Sequence, residues 1–356
     1  MSPVPIQLVD SPPRRSVLVT GGAGFIGSAV TRLLVADRSC RVIVLDALSY
    51  AALPGALDAV AGRPNYRFVH GDIRDRALLD RVMAEERVDA VMHLAAESHV
   101  DRSLAGPAAF IDTNITGTFH LLEAALAHWR TLPPDVRAAF RLHHVSTDEV
   151  FGDLPFDSGR FTEESRYKPS SPYSASKAAA DHLVRAWHHS FGLPVVISNC
   201  SNNYGPWQHD EKLIPRTITN ALAGRPLPVY GSGANVRDWL YVEDHALALQ
   251  AVLERGRVGQ TYLIGGREEH SNIAVVAMIC DLLDQMCPRA DGRKHRTLIQ
   301  FVADRAGHDR RYAIDPQRIE RELGWRAAMP FRDGLIATID WHIARMRDVD
   351  TIVRAG

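Results

Sequence analysis

Short runs of β-branched and aliphatic residues alternate with helix-period stretches over the first 200 residues. The runs at 16–20 (SVLVT), 41–45 (RVIVL), 66–69, 90–94, 142–145 and 195–198 are apolar with little alternation. Strands buried on both faces of a sheet read this way. Helical patterns at 25–36, 76–86, 108–129 and 174–190 separate them. The alternation predicts an α/β fold with a doubly wound parallel sheet covered on both faces. After residue 204 the pattern changes. Prolines at 206, 215, 226 and 228 punctuate a segment with fewer clear strands. A strand and helix return at 239–253, then a helix at 273–286, a strand at 298–302 and helices near 316–323 and 332–345. A second, smaller domain is expected from 204–236 and 265–356, with the first domain over 16–203 and a returning segment near 237–264.

Composition narrows the classes. Hydrophobic residues make up 46% and charged residues 23% of 356 positions, a globular balance with material for about two domains. Lys and Arg total 41 against 42 Asp and Glu, which argues against a partner held by bulk charge, nucleic acid above all. No stretch is apolar enough to span a membrane. Residues 1–15 hold four prolines and no apolar core, so they read as a flexible leader rather than a secretory signal. The four cysteines form no C-x-x-C pair, and the 16 histidines show no ligand-like spacing, so neither disulfides nor a metal site is expected. A reducing, cytoplasmic setting follows.

The first chemical signal lies between the first strand and helix. TGGAGFIG (20–27) satisfies G-x-x-G-x-x-G through Gly21, Gly24 and Gly27, and G-x-G-x-x-G through Gly22, Gly24 and Gly27. Glycines let a pyrophosphate approach the backbone, and the helix start offers it free N–H groups. Asp46 ends the second strand about 20 residues beyond, where a carboxylate accepts hydrogen bonds from ribose hydroxyls and repels a 2′-phosphate. The expected cofactor is NAD rather than NADP, on a Rossmann-type domain with a smaller C-terminal substrate-binding domain. Asp72 and Ile73 end the third strand, beside an adenine edge or as a simple helix start.

A second signal is Tyr173 and Lys177, spaced i and i+4 in YSASK, on one face of a helix. An ammonium beside a phenol favours the phenolate, a base able to take an alcohol proton. A third is Ser146-Thr147-Asp148-Glu149 after the fifth strand, at the carboxyl edge where such sheets bind ligands. Two adjacent acids there suit paired acid and base work beyond simple oxidation. The bland alternative is a Thr/Asp helix cap, against which the Val-Phe-Gly continuation speaks.

In these residues the chain resembles the extended short-chain dehydrogenase/reductases that act on nucleotide sugars, and within them the dTDP-glucose 4,6-dehydratase family. The matching runs are TGGAGFIG (20–27), HLAAESHVDRS (93–103), STDEVFGD (146–153), SPYSASK (171–177), NCSNNYGP (199–206), EKLIP (211–215), RDWLYVEDH (237–245) and GHDRRYAID (307–315). They spread over nearly the whole chain. Sugar epimerases and decarboxylases share the glycine loop and Y-x-x-x-K but do not generally carry the Asp-Glu pair.

The resemblance implies conversion of a dTDP-glucose substrate to its 4-keto-6-deoxy product and water. C4 is oxidised, water leaves across C5–C6, the hydride returns to C6, and NAD is recycled. Thr147 would bond the sugar 4-oxygen, Tyr173 would be the oxidation base supported by Lys177, Asp148 the acid at C6 and Glu149 the base at C5. Gly21, Gly24, Phe25, Ile26, Gly27, Asp46, Leu48, Ser49, Asp72, Ile73, Leu94, Ala95, Ala96, Ser98, Thr113, Tyr173, Lys177 and Asn203 would hold the cofactor. Ser98, Thr147, Asn202, Glu211, Lys212, Arg237, Asn272, Asp304, Arg305 and His308 would hold the nucleotide sugar. The resemblance also implies a homodimer through helices near 108–128 and 174–190. Rival readings are a UDP-glucose dehydratase, a nucleotide-sugar epimerase or decarboxylase, and a non-catalytic NAD-binding regulator. Two departures stand out. Phe151 occupies a position often held by Tyr, where the lost hydroxyl would loosen a polar contact, and Ala306 one often held by Pro.

Other conspicuous residues read as structural. Trp239 and Tyr241 are expected in a core or pocket wall, and His188 and His189 at a solvated or subunit-facing helix end.

Overall fold

The computed structural model describes residues 15–304 and 308–355. The expected leader lies outside them except for Arg15, which opens the first strand. Along the chain come β1 (Arg15–Thr20), α1 (Phe25–Ala36), β2 (Cys40–Asp46), β3 (Tyr66–His70), α2 (Arg76–Glu85) and β4 (Ala90–His93). The next connection holds α3 (Val100–Ala105), α4 (Ala108–Phe110), a π-helical stretch Ile111–Gly117, α5 (Thr118–Thr131) and α6 (Pro134–Ala139). β5 (Arg141–Thr147), α7 (Pro172–Phe191), β6 (Val195–Cys200) and β7 (Asn202–Tyr204) follow. Then come α8 (Leu213–Leu222), β8 (Leu227–Tyr230), β9 (Val236–Tyr241), α9 (Val242–Arg255), β10 (Thr261–Ile264), β11 (Glu269–Ser271), α10 (Asn272–Met286), β12 (Ile299–Val302), α11 (Gln317–Leu323) and α12 (Phe331–Ala355).

Seven strands form one parallel sheet in the order β10-β6-β5-β4-β1-β2-β3. The order reverses direction at β1, so β1 and β4 diverge at their carboxyl ends and open a crevice there. Alternate side chains of β1 feed two separate cores, which is why the run had to be apolar throughout. Val17 and Val19 pack with α1 and α9 on one face. Leu18 packs with α2, α5 and α7 on the other. A third core lies among β8, β9, α8, α10 and α12, and it contains Trp239 and Tyr241. Small sheets β11-β9-β7 and β12-β8 belong to this side. Of these, β9 and β12 match the strands expected near 239 and at 298–302, whereas β7, β8 and β11, three or four residues long, give no periodic signal.

The helix expected over 108–129 is interrupted by the π-helical stretch. Asn114 lies within it and makes three hydrogen bonds, to the Glu97 N–H and carbonyl and to the Ser176 hydroxyl. π-Helical turns recur where a side chain must be re-aimed toward a functional site.

Candidate active site

The turn from β1 into α1 is built by steric necessity. Gly21 sits at φ +72°, and a Cβ there would lie 2.7 Å from Ala95 Cα on the neighbouring β4 loop. A Cβ on Gly27 would lie 2.0 Å from the Gly21 carbonyl. Gly24 caps α1 without any side-chain hydrogen bond, so the first amides of the helix keep no protein cap. Asp46, buried at the end of β2, accepts from the Ala23 N–H at 2.9 Å and the Leu48 N–H at 2.8 Å. An uncapped helix start, glycines packed against it and a carboxylate at the next strand end fit the pyrophosphate and ribose of a dinucleotide.

These elements border a cleft of about 510 Å³ along the carboxyl ends of the strands. Gly21, Gly24, Phe25, Ile26, Gly27, Asp46, Ser49, Asp72, Ile73, Leu94, Ala95, Ala96, Ser98, Thr113 and Asn203 line it. Thr147, Asp148, Glu149, Tyr173 and Lys177 line it as well, with Asn202, Glu211 and Lys212. Leu48 does not. It is exposed at φ +51°, and its contribution is the N–H held by Asp46. Asp72 is not a helix cap, since Asp75 caps α2; Asp72 instead pairs with Arg74, another cleft residue. That pairing, together with Gln208 and His209 beside Glu211, was invisible to motif reading. Proximity in sequence to Asp72 and to EKLIP was the available signal.

Arg237, Asn272, Asp304 and His308 are not in the cleft lining. Arg237 and Asn272 cluster around β9: Arg237 donates to the Asp309 carbonyl at 3.0 Å, and the Asn272 N–H to the Asn235 carbonyl at 2.9 Å. Arg237 also stacks over Tyr312, 4.2 Å from the ring centre. His308 and Asp304 pair at 2.8 Å beyond β12. Arg305 and Ala306 lie outside the described residues. Phe151 is buried, stacked on Phe161 at 5.1 Å and edge-on to Tyr167. Its neighbours are Val150, Phe161, Ala178, Leu263, Ile314 and the rings of Tyr167 and Tyr312.

The cap expected at the acidic segment is present, without a helix behind it. Thr147 caps one 3-10 turn, Asp148–Phe151, by accepting from the Glu149 N–H, and Gly152 ends it. The turn leaves Asp148 buried and Glu149 half-buried at the cleft. Burial, then the charges of Glu149 and Asp238, push the Asp148 carboxyl well above the usual carboxylate range. One of its oxygens is buried without a hydrogen-bond partner. The surroundings therefore favour the protonated form of Asp148, and the group beside it is another carboxyl.

Tyr173 and Lys177 share one face of α7, held by a Ser171/Ser174 capping box with Pro172 in the first turn. The electrostatics correct the expectation drawn from spacing. Burial, then the Glu149 charge, push the Tyr173 phenol well above its usual value, with the Thr147 hydrogen bond working the other way. Lys177 lies one turn further along the same face. Its ammonium is buried and donates to the Val145 carbonyl at 2.9 Å. A buried ammonium needs an acceptor of its own, and β5 supplies it.

A dinucleotide loop, a Tyr-x-x-x-Lys helix and a second lobe beside the strand ends define an extended short-chain dehydrogenase/reductase. The profile of the family described as GDP-mannose 4,6 dehydratase matches residues 18–338, and the chain belongs to that family. It is 56% identical to the dTDP-glucose 4,6-dehydratase of Neisseria gonorrhoeae, over 93% of this chain and 96% of that protein. A Streptomyces venezuelae dTDP-glucose 4,6-dehydratase solved with NAD superposes with a TM-score of 0.84 at 47% identity, covering 92% of this chain and 97% of that one. A Bacillus anthracis dTDP-glucose 4,6-dehydratase in complex with NAD gives 0.83 at 41% identity, covering 94% and 98%.

Proposed function

We propose that this protein is an NAD-dependent dTDP-glucose 4,6-dehydratase, a hydro-lyase that forms dTDP-4-keto-6-deoxyglucose and water. One observation carries it beyond sugar oxidation: a buried Asp148, its carboxyl pushed well above the usual range, beside Glu149 in the cleft that holds Tyr173. The near full-length identity to dehydratases of that name supports the substrate.

NAD, when bound, supplies a hydride acceptor and donor and a positive charge that favours the phenolate. The rest falls to this chain. Gly21, Gly24 and Gly27 admit the dinucleotide, and Asp46 faces its ribose. Tyr173 takes the proton of the C4 hydroxyl, whose oxygen Thr147 also bonds. Once C4 is a ketone the C5 hydrogen is acidic. Glu149 removes it while Asp148 protonates the departing C6 oxygen. Asn202, Glu211 and Lys212 from the cleft, Arg237, Asn272, Asp304 and His308 beyond it, and Arg305 bind the nucleotide diphosphate and sugar.

The same reading makes the protein a cytoplasmic homodimer. No helix among the described residues is long and apolar enough to cross a membrane. Exposed Ile111, Phe119 and Phe191 lie on the segments proposed to pair. Sedimentation of a Phe191→Glu variant at half the wild-type mass is the expected result.

Substrate deuterated at C4 tests the reaction. The label is expected at C6 of the product without NADH accumulating, and unlabelled substrate in heavy water gains deuterium at C5. Label retained at C4 would mean an epimerase.

A further inference from the structure

Behind α7 lies a polar cluster that none of these steps uses. Asp181 sits one turn past Lys177, fully buried between that helix and the sheet. Two donors from outside α7 hold its carboxylate. Tyr167 Oη at 2.7 Å and Asn199 Nδ2 on β6 at 3.1 Å donate to one oxygen. His144 Nε2 on β5 lies 3.2 Å from the other. A buried carboxylate needs a counter-charge as well as hydrogen bonds. His144 does not supply it, because burial and then the Lys177 charge hold its imidazole down to about 4. Burial opposes ionisation of Asp181, but His144, Lys177 and Tyr167 together outweigh it and lower its pKa.

Lys177 is the complementary cation. Tyr173 and Asp181 stand one turn to either side of it on α7, and the other titratable groups coupled to its charge are His144 on β5, His93 on β4 and Cys200 on β6. Both histidines are held neutral by burial, and burial pushes the Cys200 thiol up to about 12. Asp181 is the one anion in this set. The Asn199 amide that binds Asp181 also donates to the Thr147 carbonyl at 3.0 Å, so the same carboxylate reaches the catalytic corner through one side chain.

We propose that Asp181 is a positioning residue for the oxidation step: its charge keeps Lys177 cationic, and its hydrogen bond to Asn199 holds the Thr147 corner against Tyr173. The role rests on the reading of Tyr173, Lys177 and Thr147 given above.

The chain contains four lysines, Lys168, Lys177, Lys212 and Lys294, so ¹³C-labelled lysine gives a spectrum in which Lys177 can be followed. In NAD-loaded Asp181→Asn protein the Lys177 signal is expected to titrate about one pH unit lower or more. The acid limb of the kcat–pH profile moves upward, because a neutral lysine no longer favours the phenolate. The turnover number falls about 10- to 100-fold with KM little changed. A lower melting temperature with an unmoved Lys177 titration and pH profile overturns the proposal, since that is the signature of packing alone. Should the variant not fold, the wild-type titration decides. A Lys177 signal that stays protonated through pH 8 supports the role, and one that deprotonates below pH 7 refutes it. Failure to turn over dTDP-glucose would sink the dehydratase reading while leaving the lysine titration to judge Asp181.

Discussion

At the scale of single residues, the site depends on which carboxyls carry protons. Burial and the acids around it favour the protonated form of Asp148. Asp148→Asn keeps the shape and removes the acid, and Glu149→Gln removes the base. Each is expected to slow elimination by about two orders of magnitude. NAD affinity, read by fluorescence titration, stays near wild type. Wild-type turnover in both variants would return the chain to the epimerases. Both oxygens of Asp46, the proposed ribose ligand, tie down the backbone at the ends of β1 and β2. Asp46→Ser is expected to weaken NAD binding, lower stability and raise the NADP-to-NAD preference measured by competitive titration.

At the scale of elements, the glycine turn and α7 carry the site. A methyl on Gly27 would overlap the Gly21 carbonyl, so Gly27→Ala must displace the turn. The expected outcome is protein purified without bound nucleotide, read from its absorbance ratio after heat extraction. The capping box at Ser171 orders the turn bearing Tyr173. Ser171→Ala is expected to cost about 1 kcal/mol in urea unfolding with an unchanged denaturant slope.

At the scale of the whole molecule, buried histidines set the acid limit of stability. Burial is the first cause that lowers His143 and His245 to about 3 and His144 and His342 to about 4. Unfolded histidines bind protons near 6.5. Between these values the unfolded chain binds more protons, so this stability is fully present above pH 6.5 and is lost as pH falls toward 3 to 4. Asp238, raised by burial to about 7, works the opposite way and lessens the loss. His245→Gln is expected to reduce the proton uptake on unfolding at pH 5 by about one, measured from the pH dependence of urea midpoints. An unchanged slope would mean that His245 does not titrate on unfolding.

The sequence by itself determined the parallel sheet, the glycine turn and the positions of Thr147, Asp148, Glu149, Tyr173 and Lys177. Each is local: continuous apolar runs for strands buried on both faces, glycines at a strand-to-helix turn, an i,i+4 pair on a helix. The short strands β7, β8, β10 and β11 were not legible, because three or four residues carry no period. The direction of each pKa also came only from tertiary structure. Spacing put Tyr173 and Lys177 together, but the ammonium donates to the Val145 carbonyl, and the phenol answers to burial and Glu149. Asp46 read as a ribose ligand and is also the tie of its own loop. Charge in a protein is governed by what surrounds it in space, and those neighbours come from strands far apart in the chain.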